Sequence, residues 1–252
     1  MAFAASSASA ATHNLFLAGD SYTDGDATFT AIDFDPTGGT GVIDPFLALQ
    51  SSPIEEGYNS DLPSPEFDET RSGSAFVRSL LVSELLEEDG YYTLFADWNE
   101  PNGGGADTLT ILEFEIWTDL DGENDSFGTG EFSATQLIYS LGQQLNTIDF
   151  GGGSGQQDME IKIDASLFDG AEGDYFMLYA VLGWNCEYLR FRRETVCEDV
   201  GYETSGGFEE FSAVIGEGTP PPPPQVPLPA AGWLLLGGLG GLAALRRKKK
   251  SS

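Results

Sequence analysis

The chain has 252 residues, with 41 Asp and Glu against 11 Lys and Arg and one histidine, for a formal charge of −30. Five of the basic residues lie at 246–250 and no acidic residue follows Glu217, so residues 1–218 set six cations against 41 carboxylates, a formal −35. Such a body repels nucleic-acid phosphates and anionic headgroups, which excludes nucleic acid as a partner. The single histidine, His13, argues against His-rich zinc sites and against Ser-His-Asp or Cys-His catalysis.

From the N-terminus, Met1 to Ala11 reads M-A-F-A-A-S-S-A-S-A-A. Ala8-Ser9-Ala10 before Ala11 has the small-residue spacing of a signal-peptidase site, but a positive n-region is missing and the apolar h-region is almost absent. The expectation is that residues 1–10 are the remnant of a signal peptide whose initiator lies upstream, with signal peptidase as a processing partner. The alternative is an Ala/Ser leader on a protein that is not exported.

Residues 11–218 form the expected extracellular domain, within the range of one large all-β unit. With 40% hydrophobic residues the chain can bury a core, and 32 glycines point to many turns. Short alternating runs separated by Gly, Asp and Asn clusters predict strands. Ala27 to Phe34 alternates strictly, with Phe29 outside the apolar parity of Ile32 and Phe34. Ser79 to Asp89 carries leucines at helical spacing (Leu80, Leu81, Leu85, Leu86), confined by Gly90 to a turn or two. Tyr91 to Trp98 follows as a strand. Thr108 to Thr118 is the strongest, with Glu113 and Glu115 on one side and Leu112, Phe114 and Ile116 on the other. Thr135 to Leu141, Met159 to Ile163, Tyr175 to Leu182 and Phe208 to Ile215 complete the series. The predicted fold is all-β, an antiparallel two-sheet sandwich, jelly-roll-like, whose loops carry the binding.

After the strongest strand, Asp119-Leu120-Asp121-Gly122-Glu123-Asn124-Asp125 places oxygen ligands at alternate positions with a glycine at the tight turn, a calcium expectation for Asp119, Asp121, Glu123, Asn124 and Asp125. The loop resembles the first half of an EF-hand, but its twelfth position is Gly130, and Glu131 comes one residue late. Asp20, Asp24 and Asp26 are a weaker second set. The alternative for both is an Asp/Gly turn between strands.

Cys186 and Cys197 are the only cysteines and frame a loop holding Arg190, Arg192 and Arg193. An even count at short range in an oxidising compartment predicts a disulfide. Closing a loop of that size stabilises by about 3 kcal/mol in the chain-entropy account. The arginines either pair with carboxylates of the body or bind an acidic glycan.

Two functions of different class fit this body. One is non-catalytic binding of extracellular polysaccharide or other matrix components, with Tyr58, Trp98 and Trp184 as stacking candidates. The other is a polysaccharide-active hydrolase that uses a carboxylate pair, whose required separation is invisible to sequence.

Thr219 to Pro229 is proline-rich and predicts an extended spacer, residues 219–229. It holds Val226-Pro227-Leu228-Pro229-Ala230. An uncharged apolar run then fills 230–245, predicting a transmembrane helix of roughly 24 Å, shorter than the usual span of about 20 residues. Arg246, Arg247, Lys248, Lys249 and Lys250 lie in the tail 246–252 and stop transfer on the cytoplasmic side. These three parts in order resemble the PEP-CTERM class of bacterial sorting signals in its VPLPA variant. The resemblance covers about a tenth of the chain. It implies an exosortase as processing partner, transient anchoring in the inner membrane and delivery to the cell surface or extracellular matrix. An unprocessed single-pass anchor is the alternative reading.

The body is also similar to an uncharacterised PEP-CTERM-associated extracellular family. The resemblance rests on Gly41-Val42-Ile43-Asp44-Pro45-Phe46-Leu47, Glu55-Glu56-Gly57-Tyr58-Asn59, Tyr179-Ala180-Val181-Leu182-Gly183 and Gly207-Phe208-Glu209-Glu210-Phe211. That family brings location and a β-fold but no chemistry, and the Cys186 to Cys197 segment departs from its pattern.

Overall fold

The computed structural model describes residues 12–34, 44–61, 67–69, 76–100, 107–122, 134–151, 155–184, 201–204 and 207–216. All belong to one compact unit within Met1–Glu217; Gly218–Ser252 is a separate unit outside the described residues. The expected leader, the Cys186–Cys197 loop with its arginines, and the whole sorting tail from Val226 to Lys250 therefore lie outside the described residues. No helix among those described is long and apolar enough to cross a membrane.

The described strands are β1 (Thr12–Leu15), β2 (Ser21–Asp24), β3 (Ala27–Phe34), β4 (Pro45–Leu49), β5 (Ile54–Tyr58), β6 (Leu80–Leu81), β7 (Glu87–Glu88), β8 (Tyr91–Asp97), β9 (Thr108–Asp119), β10 (Gln136–Ser140), β11 (Gln144–Ile148), β12 (Gln157–Asp164), β13 (Tyr175–Gly183) and β14 (Glu209–Ala213). They form two sheets. The first runs β1-β11-β9-β13-β5, with β10 on β9 and β6 on β13; the second runs β2-β3-β12-β8-β14-β4, with β7 on β8. Pairing is antiparallel throughout, apart from β1, which joins β11 in parallel. That exception is allowed because β1 reaches the sheet edge from far along the chain and no hairpin fixes its direction. Seven connections between consecutive described strands cross between sheets, and four of them, β4 to β5, β8 to β9, β11 to β12 and β13 to β14, lie at one end of the sandwich. The strands these four connect follow one another in matching order, β4-β14-β8-β12 in one sheet and β5-β13-β9-β11 in the other.

One hydrophobic cluster joins the two inner faces. Phe29 of β3 meets Phe114 of β9 edge to face at 5.3 Å, and Phe46 of β4 meets Phe176 of β13 at 5.8 Å. Trp98 packs on Phe211 of β14 at 5.7 Å and donates from Nε1 to the Thr147 hydroxyl of β11. Each such fully buried ring contributes about 1.5–3 kcal/mol by leaving water. A satellite cluster of Tyr58, Leu112, Met177, Tyr179 and Val181 covers the outer face of the first sheet, with Phe67 and Trp184 packed against it.

Three expectations are corrected by this packing. On β3, Ala27, Phe29 and Ala31 turn inward, while Phe34 is 53% exposed. Leu112 leaves the side of Phe114 and Ile116 and joins the outer cluster, because the register with β13 shifts between Val181 and Leu182. Ser79 to Asp89 yields a 3-10 turn, Val82–Glu84, followed by a hairpin. Asp89 (φ 53°) and Gly90 (φ 87°) both adopt left-handed conformations there, the pair a type I′ turn requires, and this pulls Glu87 and Glu88 into strand pairing.

Candidate functional site

A groove of about 490 Å³ lies on the outer face of the second sheet, lined by residues that include Thr30, Phe34, Phe95, Gln157 and Glu160. Its floor follows from strand parity. Since Met159, Ile161 and Ile163 of β12 and Leu94 and Ala96 of β8 enter the core, Glu160 and Phe95 face outward. Glu160 is registered with Thr30 on one side and Phe95 on the other, so the three form a row across β3, β12 and β8. Phe34 pairs with Gln157 at the end of the same strands.

The wall is the turn before β2. The Asp20 carboxylate accepts from the Phe16 and Leu17 amides, at 3.1 and 2.9 Å. Gly19 N donates to Ala31 O at 2.8 Å, and Ala31 N donates to Asp20 O at 2.9 Å. Gly19 holds φ +95°, which a side chain rarely adopts, so glycine is required for this clasp. At the rim, Gln156 Nε2 donates to Asp33 Oδ1 at 2.9 Å, and Lys162 Nζ lies 3.4 Å from Glu160 Oε1. Rings beside amides, hydroxyls and carboxylates make a surface on which a sugar can stack and hydrogen-bond.

The expected stacking residues lie elsewhere. Tyr58 and Trp98 are buried, and Trp184 is half-buried against the satellite cluster. Their size gives burial more to gain than exposure. Phe34 and Phe95, which sequence reading did not single out, supply the open aromatic surface.

Of the calcium expectation, Asp119 and Asp121 are described, whereas Glu123, Asn124 and Asp125 lie outside the described residues. Asp119 is buried and its carboxylate is engaged on both oxygens. Oδ1 accepts from the Thr135 amide and hydroxyl, at 3.1 and 2.8 Å, and Oδ2 accepts from the Gly122 amide at 3.1 Å and the Asp121 amide at 3.4 Å. Asp121 is exposed and Gly122 has φ +69°, the geometry of a closed turn. In the second set, Asp24 accepts from Gly142 N and the Tyr139 hydroxyl. Among the described residues, no group of three His, Cys, Asp or Glu is arranged to hold a metal ion.

Comparison with models of protein families, with curated proteins and with solved structures found no match.

The buried carboxylates are not in the groove. Asp119 lies at the far end of β9, and those with raised carboxyl groups gather at the end of the sandwich where the β4 to β5, β8 to β9, β11 to β12 and β13 to β14 connections lie. Asp158 accepts from Trp98 N and Phe150 N at 2.8 and 2.9 Å, and Asp97 accepts from Gly155 N at 2.6 Å. Burial raises their carboxyl groups to about 8 and about 7 respectively, despite those bonds. Burial likewise raises Glu69 to about 8, although it accepts from Tyr58 N. These groups are enclosed, so they do not present to a polymer the open pair that glycoside hydrolysis requires.

Proposed function

We propose that the chain is an exported, non-catalytic β-sandwich of jelly-roll-like topology that binds a neutral extracellular polysaccharide through the groove around Phe34 and Phe95. The topology reading is supported by the matched strand orders of the two sheets, in which β4 and β5, β14 and β13, β8 and β9, and β12 and β11 are joined by direct connections. The observation that carries the binding reading is Phe34, an aromatic ring 53% exposed beside a second ring and a polar rim. Exposing such a ring forfeits burial, and a stacking ligand recovers it. The −35 body and the carboxylates of Asp33 and Glu160 at the groove disfavour uronic-acid polymers, so the ligand class is neutral.

Delivery is supported by the sequence alone. Val226 to Ala230, the apolar run 230–245 and Arg246 to Lys250 fit transient inner-membrane anchoring, exosortase processing and release to the cell surface or matrix. For the Asp119 loop the supported role is a turn, with calcium an addition that a melting shift in CaCl₂ against EDTA would establish.

The test is a panel of neutral and uronic-acid polysaccharides, read for both binding and reducing-end release. Binding of neutral polymers without turnover is expected. Reducing-end release would replace this reading with the hydrolase, and binding confined to uronic polymers would overturn the charge argument. Mass spectrometry of the mature protein is expected to find residues 231–252 removed; their retention contradicts exosortase processing.

A further inference from the structure

Glu55 of β5 and Glu209 of β14 are both fully buried, and they meet where the β4 to β5 crossover passes the start of β14. Among the described residues, only one of their four carboxylate oxygens has a hydrogen donor. Glu55 Oε1 accepts from Ser51 N at 2.9 Å, whereas Glu55 Oε2 and both oxygens of Glu209 have none. Two ionised carboxylates cannot supply a donor to each other, and a buried acceptor without a donor carries its full desolvation cost. One proton resolves the arrangement by turning a repelling pair into a carboxyl–carboxylate hydrogen bond.

We propose that Glu55 and Glu209 share a single proton and that this proton locks the β4 to β5 crossover onto β14, making the crossover end of the domain a pH-sensitive clasp. The same junction is held by Ser52 Oγ donating to Thr204 O at 2.9 Å and Thr204 N donating to Pro53 O at 3.1 Å. Loss of the proton therefore acts on a contact between segments far apart in sequence.

Burial raises both groups. The shared hydrogen bond lowers the proton affinity of Glu55 and raises that of Glu209, which places the proton on Glu209 with Glu55 as acceptor. Among the described residues, the charges acting on the pair are acidic: Glu100 after β8 acts on both, and Asp68 of the 67–69 segment acts on Glu55. Beyond them, Glu56 on the same strand and Glu69 act on or beside Asp68. Since the folded-state values lie above the ordinary carboxyl value, the folded chain binds the proton more tightly than the unfolded one. The stabilisation is complete below about pH 4.5, the unfolded range. It is lost as pH rises through the folded values, about 7 for Glu55.

The test is thermal melting of the full chain from pH 5 to pH 9, unmodified and as Glu209→Gln. Glutamine keeps the volume and donates to Glu55 at every pH. The unmodified protein is expected to lose roughly 5 °C or more across neutrality, and Glu209→Gln to show a shallower fall with a higher melting temperature at pH 9. An unchanged slope overturns the proposal. So does a calcium-dependent rise at pH 9 that Glu209→Gln abolishes, because a cation would then occupy the place given to the proton. Carboxyl carbon-13 titration of Glu55 and Glu209 in the unmodified chain reads the same point without a variant. Two steps, one well above the ordinary range, support sharing, and two ordinary titrations near pH 4.5 refute it.

Discussion

Asp119 commits both oxygens to its own loop, tying the end of β9 to Gly122 ahead of it and to Thr135 across it. Hydrogen bonds to a charged group contribute about 1.5–3 kcal/mol each and are not additive when shared. Asp119→Ala is therefore expected to lower stability by about 3 kcal/mol, read as a drop in the urea midpoint, and to the same extent with calcium or with chelator. A calcium-dependent part of that loss would add a ligand role to the turn. Asp20 is similar in kind: its carboxylate closes the turn that forms the groove wall. In both places Asp beside Gly was legible as a turn or as a ligand set, and the backbone partners that favour the turn become visible only in three dimensions.

At the scale of the element, β3 offers the sharpest contrast. Phe29 is fully buried between Phe114 and Tyr139, and Phe34, five positions later, is mostly open to the groove. Phe29→Ala is expected to cost about 3–5 kcal/mol and Phe34→Ala less than about 1 kcal/mol, both measurable by denaturant unfolding. Equal losses would mean that the parity is misassigned. Strict alternation made β3 readable as a strand, but its core face could not be chosen from sequence. Ala27 and Ala31 leave room beside Phe29 for rings arriving from the other sheet, and that fit is a property of the packed pair. The strand β9 was legible for the same reason of alternation, while the bulge that turns Leu112 outward was not, because it is set by register against β13. Gln144 to Ile148 carries too little apolar character to announce β11; Thr147 and Asn146 are buried there because Trp98 and Thr110 donate to them.

At the scale of the whole molecule, carboxylates distant in sequence are gathered at one end by the crossovers. Glu55 and Glu209, and Asp97 and Asp158, stand far apart in the chain and come together as two pairs only when β5, β8, β12 and β14 are in place. That clustering was invisible in a sequence with 41 acidic residues, where surface solvation is the ordinary role of each. Asp97 at about 7 and Asp158 at about 8 carry the same sign as the glutamate pair. The native state holds their protons more firmly than the unfolded chain, so stability falls as pH climbs from the ordinary carboxyl range through these values. The domain as a whole is thus expected to melt higher at pH 5.5 than at pH 8.5, and Glu209→Gln is expected to remove only part of the difference. A melting temperature that rises over this interval would contradict the direction of the buried-acid account. The C-terminal segment is the opposite case: its order of proline motif, apolar run and basic cluster is legible along the chain, and the proposal drawn from it concerns delivery and not ligand.

The central claim, that the open ring on β3 is a binding surface, is tested most directly by the affinity of Phe34→Ala for a neutral polysaccharide that the unmodified protein binds. The prediction is a loss of about tenfold or more, roughly 1.4 kcal/mol, with the melting temperature nearly unchanged. Unaltered affinity in a variant that keeps its fold would contradict it.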